Sequence, residues 1–363
     1  MTLLVFLLVL SFLVFIHELG HFVMARRAGV KVEEFGFGYP PKMWRFFKDK
    51  RGTEYTVNWL PFGGFVRLHG EDAEASQVTN GDTVAFYAKK KRVRLGIIVA
   101  GAVMNFIFGA VAFGILYSKS GIPEQLGYVL VEEVTADTPA AKAGLVRGDT
   151  IYGLMTDGVL APIKTTIEFQ TELAGRAGQT VTLSLGEGKT KDVYVRKTEE
   201  RPEGQGALGV AITDFRLMQY PWWQMPVRGM WIGIKAAFGF GVFLLEALGK
   251  MLYDWVATGV APKDVAGPVG IVHLAQKEGL LTSGWEMILN FAAILSINLG
   301  VVNLLPFPAL DGGRAIFVLL EGIIKKEKLA KVERAANMVG MALLLLMIVA
   351  VSFRDVRVWW AER

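Results

Sequence analysis

Long apolar runs alternate with polar segments along this chain, and four of the runs are long enough to cross a bilayer. They fall within residues 1–25, 95–118, 286–313 and 335–354. About 20 consecutive apolar residues span the hydrocarbon core as a helix. Polar segments occupy 26–94 and 314–334, and a mixed segment occupies 125–199. The pattern predicts a polytopic α-helical membrane protein with about four transmembrane helices.

Basic residues predict the orientation of these helices. Arg26 and Arg27 follow the first run, and the block Lys89–Arg94 precedes the second. Lysine and arginine next to a span favour the cytoplasmic side. Residues 26–94 are therefore expected in the cytoplasm, and the amino terminus and residues 125–199 outside it.

A fifth apolar run, residues 229–253, lies within the segment 200–285 and contains Lys235, Glu246 and Lys250. If this run crossed the membrane, the later basic stretch 325–328 would face outside, against the charge rule. We therefore expect an amphipathic helix in the outer interface. A spanning helix remains the alternative.

The cytoplasmic segment 26–94 carries strand signals. Residues 32–39 and 54–60 are rich in β-branched and aromatic residues, and Pro61–Val66 is aromatic and glycine-rich. These patterns predict a membrane-associated β-hairpin or sheet. Its free edge could pair with an extended substrate by strand addition. A cytoplasmic hairpin of no special role is the alternative.

The segment 125–199 has the mixed, alternating pattern of a folded β-rich domain. Strands are expected at 129–134, 151–155, 180–185 and 191–197, with a helix near 165–176. The stretch Ala143–Ile151, Ala-Gly-Leu-x-x-Gly-Asp-x-Ile, closely resembles the signature of bacterial PDZ domains. We expect one extracytoplasmic PDZ-like domain, which either binds peptides in its groove or excludes bulky substrates.

The first apolar run contains His17, Glu18 and His21 in the pattern His-Glu-x-x-His. Two histidines four residues apart project from one face of a helix, one turn apart. They can hold one Zn²⁺ through neutral imidazoles, and Glu18 can act as general base on the water. Ionisable groups are expensive inside a membrane helix, so this setting favours a metal site over a chance match.

A third zinc ligand is expected in the stretch Asn303–Gly313, because three protein ligands leave one position open for water. Asp311 offers a carboxylate there. Pro306 and Pro308 end the regular helix, and the glycine pair 312–313 lets the backbone approach closely. A helix-capping aspartate is the alternative.

Polar side chains within the spans offer further candidates. The amides of Asn298 and Asn303 could hydrogen-bond the backbone of an unwound substrate or orient the bound water. Helix–helix packing is the alternative for both. Asn105, in the second run, could hydrogen-bond to a neighbouring helix, and this structural interpretation is as good as a functional one.

Composition narrows the class of protein. The 363 residues are 52% hydrophobic and 20% charged, with a net charge of +5. That is too apolar for an ordinary soluble protein and too charged for a bare membrane bundle. The chain has no cysteine, so a zinc ion must be held by histidine and carboxylate. No basic–aromatic module appears, and no nucleic-acid partner is expected.

These motifs together resemble the site-2 protease family, peptidase family M50, and within it the bacterial RseP-type branch. The resemblance rests on His17–His21, on one PDZ-like domain and on Asn303–Gly313, in that order along nearly the whole chain. The stretch Gly267–Ile271 is also similar to that branch. Well-known members carry two PDZ domains, whereas this chain has one.

The resemblance implies an intramembrane zinc metalloprotease that cleaves peptide bonds within transmembrane segments, in regulated intramembrane proteolysis. It places zinc on His17, His21 and Asp311, the general base on Glu18, and substrate binding on Asn298 and Asn303. The implied partners are the lipid bilayer and single-span membrane proteins such as anti-sigma factors or remnant signal peptides. The implied location is the bacterial inner membrane, with the active site near the cytoplasmic face.

Two other classes of protein compete with the protease. A catalytically silent membrane adaptor would act through the PDZ-like domain alone, and the intact Glu18 argues against it. A transporter would use the buried histidines and Asp311 as an ion path. Paired half-repeats typical of transporters are not found in the sequence.

Overall fold

The computed structural model describes residues 2–71, 82–156, 158–202, 205–259, 266–321, 323–324 and 326–361. The chain divides into two compact units. One combines Met1–Lys119 with Pro226–Arg363, and the other is Ser120–Met225. The expected basic stretch 325–328 lies outside the residues whose side chains are described.

Helices and strands follow one another along the described residues. The helices are α1 (Thr2–Arg27), α2 (Lys91–Ser120), α3 (Pro139–Lys142), α4 (Thr166–Ala174), α5 (Met225–Thr258), α6 (Pro268–Lys277), α7 (Trp285–Leu304), α8 (Asp311–Leu320) and α9 (Lys326–Ala361). The strands are β1 (Val32–Lys48), β2 (Glu54–Leu68), β3 (Ile122–Val134), β4 (Thr150–Ile151), β5 (Gly153–Thr156), β6 (Val159–Pro162), β7 (Thr180–Gly186), β8 (Lys189–Tyr194) and β9 (Val210–Met218).

Five of the described helices are long and apolar enough to cross a membrane: α1, α2, α5, α7 and a part of α9, Lys331–Trp360. Four of them coincide with the four expected spans. The protein is therefore a multi-pass membrane protein with a β-rich region. The polar segment expected at 314–334 is largely helical, because α8 and the start of α9 occupy it.

Side-chain contacts fix the relative directions of α1, α2 and α7. His17 and His21 of α1 contact Asn105 and Ile97 of α2, so the two helices run antiparallel. At the C-terminal end of α2, Lys119 forms a 2.6 Å ion pair with Glu286 at the start of α7. Further down α2, the Ser296 hydroxyl of α7 donates to the Asn105 carbonyl. Helix α7 is therefore antiparallel to α2 as well.

Helix α5 packs along the C-terminal half of α2 through small residues. Gly229 meets Ser118, Gly233 meets Gly114, and Gly241 meets the ring of Phe106. The expected interfacial helix is thus one continuous helix whose N-terminal half is covered by α2, rather than a helix free on a surface.

The direction of α7 limits what α5 can do. Because α7 is antiparallel to α2, the chain between them must cross the membrane an even number of times. The helix α6, with 10 residues, is about 15 Å long and too short for a hydrocarbon core of about 30 Å. A full crossing by α5 would therefore have no described return helix. Because Gly229 to Gly241 follow α2 from Ser118 to Phe106, the N-terminal half of α5 lies alongside a span, and its interfacial position stays a prediction.

Strands β1 and β2 form the sheet predicted in the segment 26–94. They pair antiparallel, and several bulges let residues 34–37 lie between the two halves of β2. Phe35, for example, pairs with both Tyr55 and Val66. Residues 64–68 consequently form one edge of this sheet, and that edge lies against α1.

The second unit contains two small antiparallel sheets, in the orders β4-β3-β9 and β6-β5-β7-β8. Its core includes Val129, Leu154, Phe169 and Leu183. A capping box between Thr165 and Glu168 starts α4 where a helix was expected.

The second unit ends later than the expected boundary at residue 199. Strand β9 pairs with β3 from Val210 to Met218, so it belongs to this unit. In the sequence, a polar stretch separates β9 from β8 and therefore resembles a domain boundary. The PDZ assignment stays a prediction.

Candidate metal centre

Helix α1 places two histidines on one buried face. His17 is 5% exposed and His21 is 8% exposed. The ring centroids are 4.8 Å apart, and the two Nε2 atoms are separated by 3.1 Å. As the helical repeat predicts for a four-residue spacing, both imidazoles lie on one face and point at one location.

A turn after α7 brings Asp311 to the same location. The helix ends at Leu304, and α8 starts again at Asp311. A Cβ atom on Gly313 would overlap the backbone of Phe307, and one on Gly312 would overlap that of Leu305. The close approach expected of this glycine pair is thus observed.

The Asp311 carboxylate completes a group of three donor atoms. Its Oδ2 atom lies 2.9 Å from His17 Nε2 and 3.2 Å from His21 Nε2. Among the described residues, these three side chains form the cluster that could hold a metal ion. Tetrahedral zinc with bonds of about 2.0 Å separates its ligands by about 3.3 Å, close to these distances.

The outer nitrogens of both rings have partners on α2. His21 Nδ1 lies 2.8 Å from the Ile97 carbonyl, which can only accept, so this nitrogen carries the proton. His17 Nδ1 lies 3.2 Å from the Asn105 amide nitrogen, while the Asn105 Oδ1 atom is buried without a partner. Turning the amide over gives that oxygen the His17 Nδ1 proton.

These tautomers show whether a cation fits between the three side chains. With protons on both Nδ1 atoms, the two Nε2 lone pairs face each other and the Asp311 oxygen. Three acceptors within 3.2 Å repel one another unless a positive ion lies between them. Partners on the far ring nitrogen are also the usual support of zinc-binding histidines. The donor set therefore fits zinc.

Glycines let α2 approach the pair. A Cβ atom on Gly101 would lie 2.6 Å from His17 Nε2, and one on Gly20 would overlap the carbonyl of Ala100. Neither position was singled out from sequence, since glycine is frequent in this chain and its role here depends on which helix lies opposite.

Glu18 lies on the wall of a cavity of about 170 Å³ beside the cluster. His21 and Asp311 line the same cavity, together with Phe65 and Val66 of the sheet edge. A Cβ atom on Gly64 would be 3.7 Å from Glu18 Cγ. A carboxylate, a metal-binding group and a strand edge thus share one space.

The two asparagines of α7 differ in position. The amide nitrogen of Asn303 lies 3.5 Å from His17 Nε2, at the metal cluster. Asn298 is half-buried on α7, and within the described residues no hydrogen bond connects it to the cluster. The structure brings together five of the six expected site residues.

Two charged side chains at the cavity were not identified from sequence. Arg314 and Glu71 both line it and lie in contact. Arg314 follows Asp311 by three residues, a spacing that places both on one side of α8. The spacing was available in the sequence, but the partner of Arg314 was not.

Comparisons with known proteins agree with this site. The profile of "Peptidase family M50" matches residues 5–347. The chain is similar to a predicted zinc metalloprotease of Clostridium perfringens, with 36% identity over 96% of this chain and 97% of the relative. It is 27% identical to the zinc metalloprotease RasP of Oceanobacillus iheyensis, over 98% of this chain and 99% of the relative.

A second RasP, from Geobacillus kaustophilus, is 27% identical over 97% of both chains. The family profile covers both the His17–His21 motif and Asp311. The similarity therefore covers the membrane-spanning helices, the sheet and the cluster together. This chain belongs to peptidase family M50 and is a zinc metalloprotease of the membrane.

Proposed function

We propose that this protein cleaves peptide bonds within the transmembrane segments of single-span membrane proteins. The observation that carries the proposal is the position of Glu18, His21 and Asp311 on one cavity whose other wall is a strand edge. The histidines belong to a helix of spanning length, which supports a cavity at membrane depth.

His17, His21 and Asp311 are the residues that would hold zinc. When bound, zinc supplies a Lewis acid that activates water and polarises the scissile carbonyl. The protein itself keeps these side chains in register: the Ile97 carbonyl orients His21, and the amide of Asn105 orients His17.

Glu18 would act as the general base and then as the general acid. It takes a proton from the attacking water and returns it to the leaving amine. Its side chain lines the same cavity as His21 and Asp311 of the metal cluster. Its carboxylate lies beside the backbone amide of Val66, on the strand edge.

The sheet edge at Gly64–Val66 would hold the substrate. A peptide bond in a membrane helix is protected twice, because its carbonyl is hydrogen-bonded and water is absent. Pairing with an exposed strand edge gives an unwound segment new backbone partners. The outer side of residues 64–66 has no strand partner among the described residues.

Asn303 would contact the substrate at the cluster, where its amide lies 3.5 Å from His17 Nε2. Asn298 would assist from the same helix, and its half-buried position leaves packing as the competing role. The anti-sigma factors and remnant signal peptides implied by the family remain proposed substrates, as does a PDZ-like filter over residues 120–225.

The proposal is tested by incubating the purified protein in detergent with a single-span substrate. Cleavage within the transmembrane segment should occur, stop with a zinc chelator, and return on adding zinc. The Glu18→Gln variant should bind zinc and substrate without cleaving. Cleavage outside the membrane segment only, or full activity of Glu18→Gln, would reject the proposal.

A further inference from the structure

We propose that Arg314 and Glu71 form a positioning pair that connects the helix of the third zinc ligand to the strand edge beside Glu18. This inference rests on the proposed function, because the proposed function assigns the roles of zinc ligand to Asp311 on α8 and of substrate binding to the strand edge. Arg314 belongs to α8, and Glu71 follows the end of β2 by three residues.

The contacts of Glu71 are specific to this connection. Its Oε1 atom accepts a 2.6 Å hydrogen bond from Arg314 Nη1. Its Oε2 atom accepts from the backbone N–H of Leu68 at 3.2 Å. One carboxylate thus holds the last residue of β2 and a side chain of α8 at the same time.

Both ends of this connection lead directly to the reacting groups. Arg314 lies three residues after Asp311, on the same side of α8. Leu68 ends the edge whose residues Phe65 and Val66 line the same cavity as Asp311. A shift of α8 relative to β2 would therefore change the width of the cavity where the substrate must lie.

The pair also contributes to the charge balance of the cavity. Glu18, Glu71 and Asp311 all line the cavity, and Arg314 is the cationic side chain in that lining. Three carboxylates, one guanidinium and one divalent ion sum to zero. Side-chain exposures of 27% for Arg314 and 17% for Glu71 show that water compensates them only in part.

A second buried pair offers a matched control. Arg94 of α2 contacts Glu321 at the end of α8, and Arg94 is 2% exposed. This pair also connects α8 to a neighbour, yet neither member lines the cavity. A role confined to stability would make both pairs behave alike.

The test compares Arg314→Gln, Glu71→Gln, the double variant and Arg94→Gln in the full-length zinc enzyme. Measurements are kcat and KM on a single-span substrate, zinc per chain, melting temperature, and hydrogen exchange across residues 64–71. Each single variant of the pair should lower kcat about 10–100-fold with zinc content unchanged. Exchange at Phe65–Leu68 should speed up, and the double variant should lose no more than the worse single.

Arg94→Gln should lower the melting temperature and leave exchange at Phe65–Leu68 as in the parent. Cleavage by Arg314→Gln within twofold of the parent would overturn the inference, and so would losses that multiply in the double variant. If a glutamine variant does not fold, Arg314→Lys and Glu71→Asp give the same comparison. Since Glu18→Gln tests the proposed function separately, an inactive Glu18→Gln with a normal Arg314→Gln rejects only this pair.

Discussion

The Asn105 amide nitrogen of α2 lies 3.2 Å from Nδ1 of His17 on α1, and the buried Oδ1 atom of the same amide has no hydrogen-bond partner. A polar residue in the middle of the second span therefore contacts the proposed metal-binding face of the first. This contact fixes which nitrogen of His17 faces Asp311. It turns two separate sequence features, a motif and an isolated asparagine, into one site.

Replacing Asn105 by alanine should weaken zinc binding about 10–100-fold, because His17 loses the acceptor that holds its tautomer. Zinc affinity of the purified protein, measured by competition with a chelator, checks this. Ser296→Ala is the control, because Ser296 contacts the Asn105 carbonyl and not the ring. An unchanged affinity for Asn105→Ala would show that the contact is packing only.

Gly101→Ala should abolish stoichiometric zinc binding. The new methyl group would lie 2.6 Å from His17 Nε2, a nitrogen aimed at the metal position. Gly96→Ala is the control on the same helix, since its methyl would meet only the flexible end of Met24, at 3.2 Å. Zinc per chain after gel filtration distinguishes them. Equal zinc content in both variants would contradict the close approach of α2.

Ala309 adopts a backbone φ of 75°, in the left-handed region, just before Asp311. This conformation costs a non-glycine residue about 1–2 kcal/mol. Glycine removes this cost, but it destabilises the folded state by about 0.5–1 kcal/mol because it loses more backbone entropy on folding. Ala309→Gly should thus stabilise the protein by about 0.5–1 kcal/mol, seen as a higher melting temperature.

Removing the hydrogen bond that holds Ala309 should have the opposite effect. The Ala309 amide donates to the Asn337 side chain of α9 at 3.1 Å. Asn337→Ala should lower the melting temperature, and combining it with Ala309→Gly should recover part of the loss. A lower melting temperature for Ala309→Gly alone would contradict the strain at this turn.

His69 should make stability depend on pH. Its two ring nitrogens each lie 2.8 Å from a carboxylate, Glu33 on β1 and Asp82 after the sheet, and Arg67 also contacts Glu33. Hydrogen bonding to Glu33 and then to Asp82 raises the pKa of His69. A raised pKa in the folded state adds stability that is complete below about pH 6.5 and is lost as pH rises through the raised pKa.

Melting temperatures between pH 6 and 9 test this dependence. The parent protein should lose stability as pH rises through this window, and His69→Gln should lose that component. His273→Gln leaves the Glu33 and Asp82 contacts intact and should follow the parent. A His69→Gln curve with the slope of the parent would show that other groups cause the dependence.

Much of this architecture follows from local sequence rules. The lengths of the apolar runs predict α1, α2, α7 and α9, and the four-residue spacing predicts that His17 and His21 share a face. Glycines and prolines around Asp311 predict the turn that brings it to the histidines. Each of these inferences depends on residues near one another in the chain.

What sequence could not provide depends on contacts between distant segments. Strand β9 joins the second unit through β3, about 80 residues away, so the boundary expected at 199 was too early. Gly101 looks like any membrane glycine until α1 lies against it. Arg314 finds Glu71, 243 residues away, through the packing of α8 against the end of the sheet.

The most direct test of the account is zinc content paired with cleavage in three proteins: the parent, Glu18→Gln and Asp311→Ala. We predict about one zinc per chain in the parent and in Glu18→Gln, with cleavage by the parent only. Asp311→Ala should hold zinc at least tenfold more weakly, as expected when a ligand is lost. An Asp311→Ala protein that binds zinc as tightly as the parent and still cleaves would contradict a site built from His17, His21 and Asp311.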